Sequence, residues 1–97
     1  MPPDPAVSVV MVTWNGLRHL QRSVPAVLAQ SLPGGAPAAT LELIVVDNAS
    51  ADGSVPYLEA LAAGDPRVRL LRNTRNEGFA GPNNRAFACA RAPLVAT

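Results

Sequence analysis

Lysine is absent from this chain of 97 residues, and all eight basic side chains are arginine. The net charge is only +1, which argues against a nucleic-acid partner or a surface that seeks acidic ones. With alanine abundant, the missing lysine reads as coding bias rather than function. Cysteine occurs once, as Cys89. A single thiol excludes an internal disulfide and a cysteine-based zinc cluster. Cys89 falls among alanines in an expected helix, where a small core residue is the simpler reading than a nucleophile. No apolar run approaches the ~20 residues needed to span a bilayer. The N-terminus, Met-Pro-Pro-Asp-Pro, has neither the basic start nor the apolar stretch of a signal peptide. The expected location is the cytoplasm, with residues 1–5 disordered. The glycine signatures of nucleotide binding are also missing. Between the first strand and helix stands Thr13-Trp14-Asn15-Gly16-Leu17, with one glycine where a dinucleotide fold places three. There is no Walker A loop, and no Gly-rich basic loop of the kind a nucleotidyltransferase would carry after its first strand.

Hydrophobic residues make up 48% of the chain and charged residues 15%, the balance of one globular domain spanning residues 1–97. Val7 to Val12 is rich in β-branched residues and fits a strand covered on both faces. Leu17, Leu20, Val24, Val27 and Leu28 then recur at helical spacing, so residues 16–30 read as an amphipathic helix. Pro25 should bend that helix or restart it. Residues 31–41 are loop by composition and long enough to be mobile. Residues 42–47 form a second strand. Ser54 is the expected N-cap of a second helix, with Pro56 in its first turn and Val55, Leu58 and Leu61 facing inward. Val68 to Leu71 is a third, more exposed strand. A third helix begins at Phe79 or Pro82 and runs to Arg91, presenting Phe79, Asn83, Ala86, Phe87 and Ala90. Leu94 opens a fourth strand that the sequence cuts short. Alternation of this kind implies an open, mostly parallel α/β sheet with right-handed crossovers and helices on both faces.

Ligands of open α/β sheets sit beyond the carboxyl ends of the strands. Those ends carry Thr13, Trp14 and Asn15; Asp47 and Asn48; and the loop Asn73 to Gly78 with its flanking arginines. An aromatic ring, a carboxylate, amides and arginines suit a base, a ribose and phosphates. Each has a plainer reading. Asp47-Asn48 could shape a turn, Trp14 could plug the core, and the arginines could be solvated. His19 is read as an exposed helix residue. Gly78-Phe79-Ala80-Gly81 precedes a helix and could approach a phosphate, though two glycines alone are weak support.

Three segments in order, VSVVMVTWNG, ELIVVDNASADGS and NTRNEGFAGPNNRAFACAR, resemble the N-terminal half of a family 2 glycosyltransferase, most closely its rhamnosyltransferase-like branch. The resemblance implies a GT-A fold, a UDP- or dTDP-sugar donor and an inverting transfer. It implies that Thr13, Trp14 and Asn15 border the nucleoside pocket and that Asp47 or Asn48 contacts base or ribose. Gly78, Phe79 and Asn84 would form the wall and helix beneath the donor. The family's Asp-x-Asp segment, which holds Mg²⁺ or Mn²⁺, follows the fourth strand, so the resemblance implies a cation in the complete enzyme, with metal ligands and catalytic base supplied from beyond these motifs. The 97 residues alone are expected to be inactive and to associate with themselves through an uncovered sheet edge. The rival reading is a non-catalytic α/β module that binds nucleotides weakly or self-assembles.

Overall fold

The computed structural model describes residues 7–29, 41–90 and 94–96. The expected disorder of residues 1–5 and most of the expected mobile loop lie outside them. Four strands and three helices alternate: β1 (Val7–Thr13), α1 (Leu17–Leu28), β2 (Leu41–Asp47), α2 (Ser54–Gly64), β3 (Val68–Arg72), α3 (Ala80–Cys89) and β4 (Leu94–Ala96). They form one parallel sheet in the order β3-β2-β1-β4. Val7 to Thr13 pair in register with Leu41 to Asp47, which brings the ends of β1 and β2 level.

The alternation of side chains along β1 and β2 divides the core. Leu43 and Val45 face α1 and α2, burying Leu20, Val24 and Leu58. Val10, Ile44 and Val46 face the other side, where Ala86 of α3 covers them. The chain therefore winds outward from β1 to β3 over one face, then crosses back over the other to β4. That reversal puts a topological switch point between β1 and β4, and ligands of such sheets gather at the carboxyl ends there.

The helices depart from expectation in detail. α1 spans Leu17–Leu28 with Gly16 at its N-cap and Pro25 inside it. The proline ring is tolerated on the exposed side of the helix, while Leu20 and Val24 are buried. Ser54 is not the N-cap of α2. It is the first helical residue, and Gly53 takes the cap at φ 91°, a left-handed conformation suited to glycine. In α3, Ala86 is buried as expected, whereas Phe79 lies before the helix and is 65% exposed.

Two polar clamps sit at the other end of the sheet. The Ser8 hydroxyl donates to Glu42 Oε2 at 2.6 Å, and Arg69 Nη1 donates to Glu42 Oε1 and to the Cys89 carbonyl, each at 2.8 Å. Arg67 chelates Asp65 and donates to the Leu28 carbonyl, joining the end of α1 to the start of β3. The Arg67 guanidinium holds the Asp65 carboxyl below its usual range.

Candidate nucleotide site at the strand ends

The strand ends meet through a compact set of hydrogen bonds. Thr13 O accepts from Asn48 N at 2.9 Å, and Asp47 O accepts from Asn73 N at 2.9 Å. The loops after β1 and β2 are then laced together. Asn15 N donates to Ser50 Oγ at 2.8 Å, and Ala51 N donates to Asn15 Oδ1 at 2.7 Å. Asn15 sits at φ 50° and Ala49 at φ 63°. Asparagine tolerates the left-handed region, but alanine held there costs about 1–2 kcal/mol.

Asp47 is 1% exposed. Its Oδ2 accepts from Ser50 N at 2.9 Å, the turn bond that a structural reading requires. Its Oδ1 is buried without a hydrogen-bond partner among the described residues. A buried carboxylate oxygen left unpaired is costly, and this one belongs to a side chain lining a depression of about 430 Å³. Ala49, Ser50, Val55, Arg72, Asn73 and Thr74 complete that lining. The lining thus combines the carboxylate residue Asp47, a guanidinium, hydroxyls and an apolar patch from Ala49 and Val55.

Asn48, also 1% exposed, makes a different set of contacts. Its Nδ2 donates to Gly78 O at 2.7 Å, and its Oδ1 accepts from Asn73 Nδ2 at 2.8 Å. Arg85 of α3 donates in turn to Asn73 Oδ1. Asn48 therefore ties the end of β2 to the β3–α3 loop and fixes Gly78, whose φ of 75° starts the turn into α3. Asn73, named in the sequence only as part of the loop after β3, and Arg85, which was not named, complete this bridge. The alternation of strands and helices could not show it, because it joins side chains distant in sequence.

A second depression of about 290 Å³ runs along the carboxyl half of β1. Val10 to Thr13 form its floor, His19 and Leu20 of α1 one side, and Phe79 and Asn83 the other. Thr13 and Phe79 meet here, while Asp47 lines the first depression. Trp14 is 54% exposed at the same end of the sheet. Asn84 lies on the exposed side of α3 and lines neither depression.

Asp52, in the loop after β2, was not singled out by the sequence. Its Oδ2 accepts from Leu17 N at 3.0 Å, and its Oδ1 accepts from Ser54 N at 3.1 Å and Ser54 Oγ at 2.5 Å. One carboxylate thus satisfies free amides at the starts of both α1 and α2. Above all the Ser54 hydroxyl, then the Leu17 amide, hold the Asp52 carboxyl below its ordinary 3.8. Among the described residues, no three His, Cys, Asp or Glu side chains gather to hold a metal. The described strand ends thus assemble no three-ligand protein set for a resident cation.

The sequence profile described as "Glycosyl transferase family 2" matches residues 8–97. The chain belongs to that family. Curated relatives include the succinoglycan biosynthesis protein ExoO of Rhizobium meliloti, 34% identical over 95% of this chain and 24% of its own length. Another is the UDP-Glc:alpha-D-GlcNAc-diphosphoundecaprenol beta-1,3-glucosyltransferase WfgD of Escherichia coli, 31% identical over 96% of this chain and 34% of its own. The mannosyltransferase PcManGT of Pyrobaculum calidifontis, solved with GDP-Man and Mn²⁺, superposes with a TM-score of 0.79 at 27% identity, covering 96% of this chain and 26% of that one. This family 2 chain thus spans about a quarter to a third of the relatives it resembles, and it has the α/β architecture of its glycosyltransferase neighbours. No described helix is long and apolar enough to cross a membrane.

Proposed function

We propose that this chain is the donor-nucleoside-binding half of a nucleotide-sugar-dependent glycosyltransferase. The observation that carries the reading is Asp47, which lines the depression at the ends of β2 and β3 and whose buried Oδ1 has no hydrogen-bond partner among the described residues. A base N–H or ribose hydroxyl is the kind of donor that would satisfy it, and Arg72 and Thr74 on the wall can donate to carbonyl or hydroxyl oxygens of the same ligand. Thr13 and Phe79 border the neighbouring space along β1, and Trp14 stands exposed at the same end of the sheet. Asn15, Asn48 and Gly78 fix the loops around it, and Asn84 lies on the helix beyond. The donor is a UDP- or dTDP-sugar, in keeping with the rhamnosyltransferase-like form of the motifs. The UDP-Glc named for the Escherichia coli relative supports the first of these.

In the complete protein, an acceptor hydroxyl loses its proton to a base and attacks the anomeric carbon with inversion as the nucleoside diphosphate leaves. A divalent cation, Mg²⁺ or Mn²⁺, would neutralise that diphosphate; the Mn²⁺ in the similar mannosyltransferase structure supports this. The reaction takes place at the cytoplasm.

Asp47→Asn provides the test. The amide oxygen can still accept from Ser50 N, while its NH₂ replaces the free acceptor with a donor. Nucleotide affinity should fall by roughly ten- to a hundredfold, the worth of a hydrogen bond to a charged group, with the melting temperature little changed. Calorimetric titration with UDP and dTDP, beside thermal melts, reads both. An unchanged dissociation constant with a lowered melting temperature would make Asp47 a turn residue only.

A further inference from the structure

Ala49 is the one described residue of this turn that adopts a backbone conformation its side chain disfavours without any local hydrogen bond of its own side chain to justify it. It stands at φ 63° between Asp47 and Ser50, and it lines the same depression as both. Its left-handed turn reverses the chain so that Ser50 N points back at Asp47 Oδ2, 2.9 Å away. The same reversal presents Ser50 Oγ to Asn15 N at 2.8 Å.

We propose that Ala49 is a positioning residue for the donor site: its left-handed backbone engages one Asp47 oxygen with Ser50 and thereby fixes the other as the free acceptor. The step from conformation to site is geometric. A carboxylate with no bond to Ser50 N could rotate about its terminal torsion, which is soft, and share its two oxygens among several orientations. With Oδ2 held, Oδ1 has one position. Were Ala49 to relax into a right-handed or extended conformation, Ser50 N would turn away, the bridge to Asn15 would open, and the acceptor would lose its fixed place. The proposal rests on the donor-site reading of Asp47.

Asparagine and threonine separate conformation from bulk at this position. They are of similar size, but asparagine is enriched in the left-handed region and β-branched threonine avoids it. The chain is compared with Ala49→Asn, Ala49→Gly and Ala49→Thr by amide exchange at Ser50 and by calorimetric titration with UDP, dTDP and GDP. The asparagine and glycine variants should keep Ser50 protection, and asparagine should bind nucleotide more tightly than threonine of the same bulk. The threonine variant should lose Ser50 protection while strand amides keep theirs, and should bind nucleotide roughly tenfold more weakly. If the threonine variant does not fold, Ala49→Ser carries the comparison, with a smaller loss of the same kind.

Equal protection and affinity in the asparagine and threonine variants would overturn the proposal. Loss of affinity in both with Ser50 still protected would also overturn it, since bulk rather than conformation would then decide. The reading beneath it fails differently. If the unaltered chain binds no nucleotide, or binds it as tightly as Asp47→Asn does, the donor site falls, and Ser50 protection alone still decides whether Ala49 sets the Asp47 carboxylate.

Discussion

Asp52 divides one carboxylate between the first turns of two helices, so its charge bears on both. Its folded-state pKa lies below the ordinary 3.8. A carboxylate shifted this way contributes stability above its unfolded pKa and loses it as pH falls through the folded one. The melting temperature of Asp52→Asn should therefore trail that of the unaltered chain at pH 6–7, and the gap should close below about pH 4. Parallel melts of the two proteins across that range check this; a gap independent of pH would mean that the charge plays no part. Asn48 makes a second residue-scale case. Asn48→Ala leaves the buried Asn73 amide without its acceptor, at about 1–3 kcal/mol for a buried group left unsatisfied, and frees the Gly78 carbonyl of the exposed loop. Urea denaturation should show a loss within or above that range. These two residues also show why the site was only partly legible. Asp47 stands at the end of an apolar run and announces itself. Asp52 and Asn73 act through loop geometry that no periodicity encodes, although Asp-Gly-Ser directly before an apolar helix was a usable sign of capping at Asp52.

At the scale of elements, every strand and helix expected from the alternation of β-branched runs and helical spacing is present, with ends shifted by one or two residues. Burial explains this agreement: β2 is buried along its whole length and so reads as a continuous apolar run. The exception inside that run is Glu42, buried in the sheet yet charged. Sequence could not say whether it faced solvent, because its partner Arg69 lies on another strand and its contact with the end of α3 passes through that arginine. Arg69→Met should free the last turn of α3 and take one cation away from the buried Glu42 carboxylate. A fully buried pair broken this way loses about 3–5 kcal/mol. With Arg69 about a third exposed, roughly half of that is expected from solvent screening. Denaturation gives the total, and amide exchange along α3 shows where the loss falls. A loss spread evenly over the sheet would contradict the clamp.

At the scale of the molecule, the sheet is closed on neither side among the described residues. β4 pairs only with Val7, Ser8 and Val9, so among the described residues Val10 to Thr13 have no strand partner on that side. Such an edge offers free backbone groups to another copy. The chain should therefore associate as its concentration rises, and sedimentation showing a monodisperse monomer at high concentration would count against this. Incubated with Mn²⁺ and UDP- or dTDP-sugars, it should release no nucleotide in response to an acceptor; release above a no-protein control would place the chemistry within these residues. The placement of β1 bears on synthesis as well. Val7 meets Leu41 on one edge and Leu94 on the other, so the earliest of these four strands is the hub to which the other three are added. On the ribosome, β1, β2 and β3 can zip together in the order they emerge, using α1 and α2 as local crossovers. β4 has to find the far edge of β1 only after the nascent chain has crossed beneath the growing sheet, which makes its docking the long-range step of assembly.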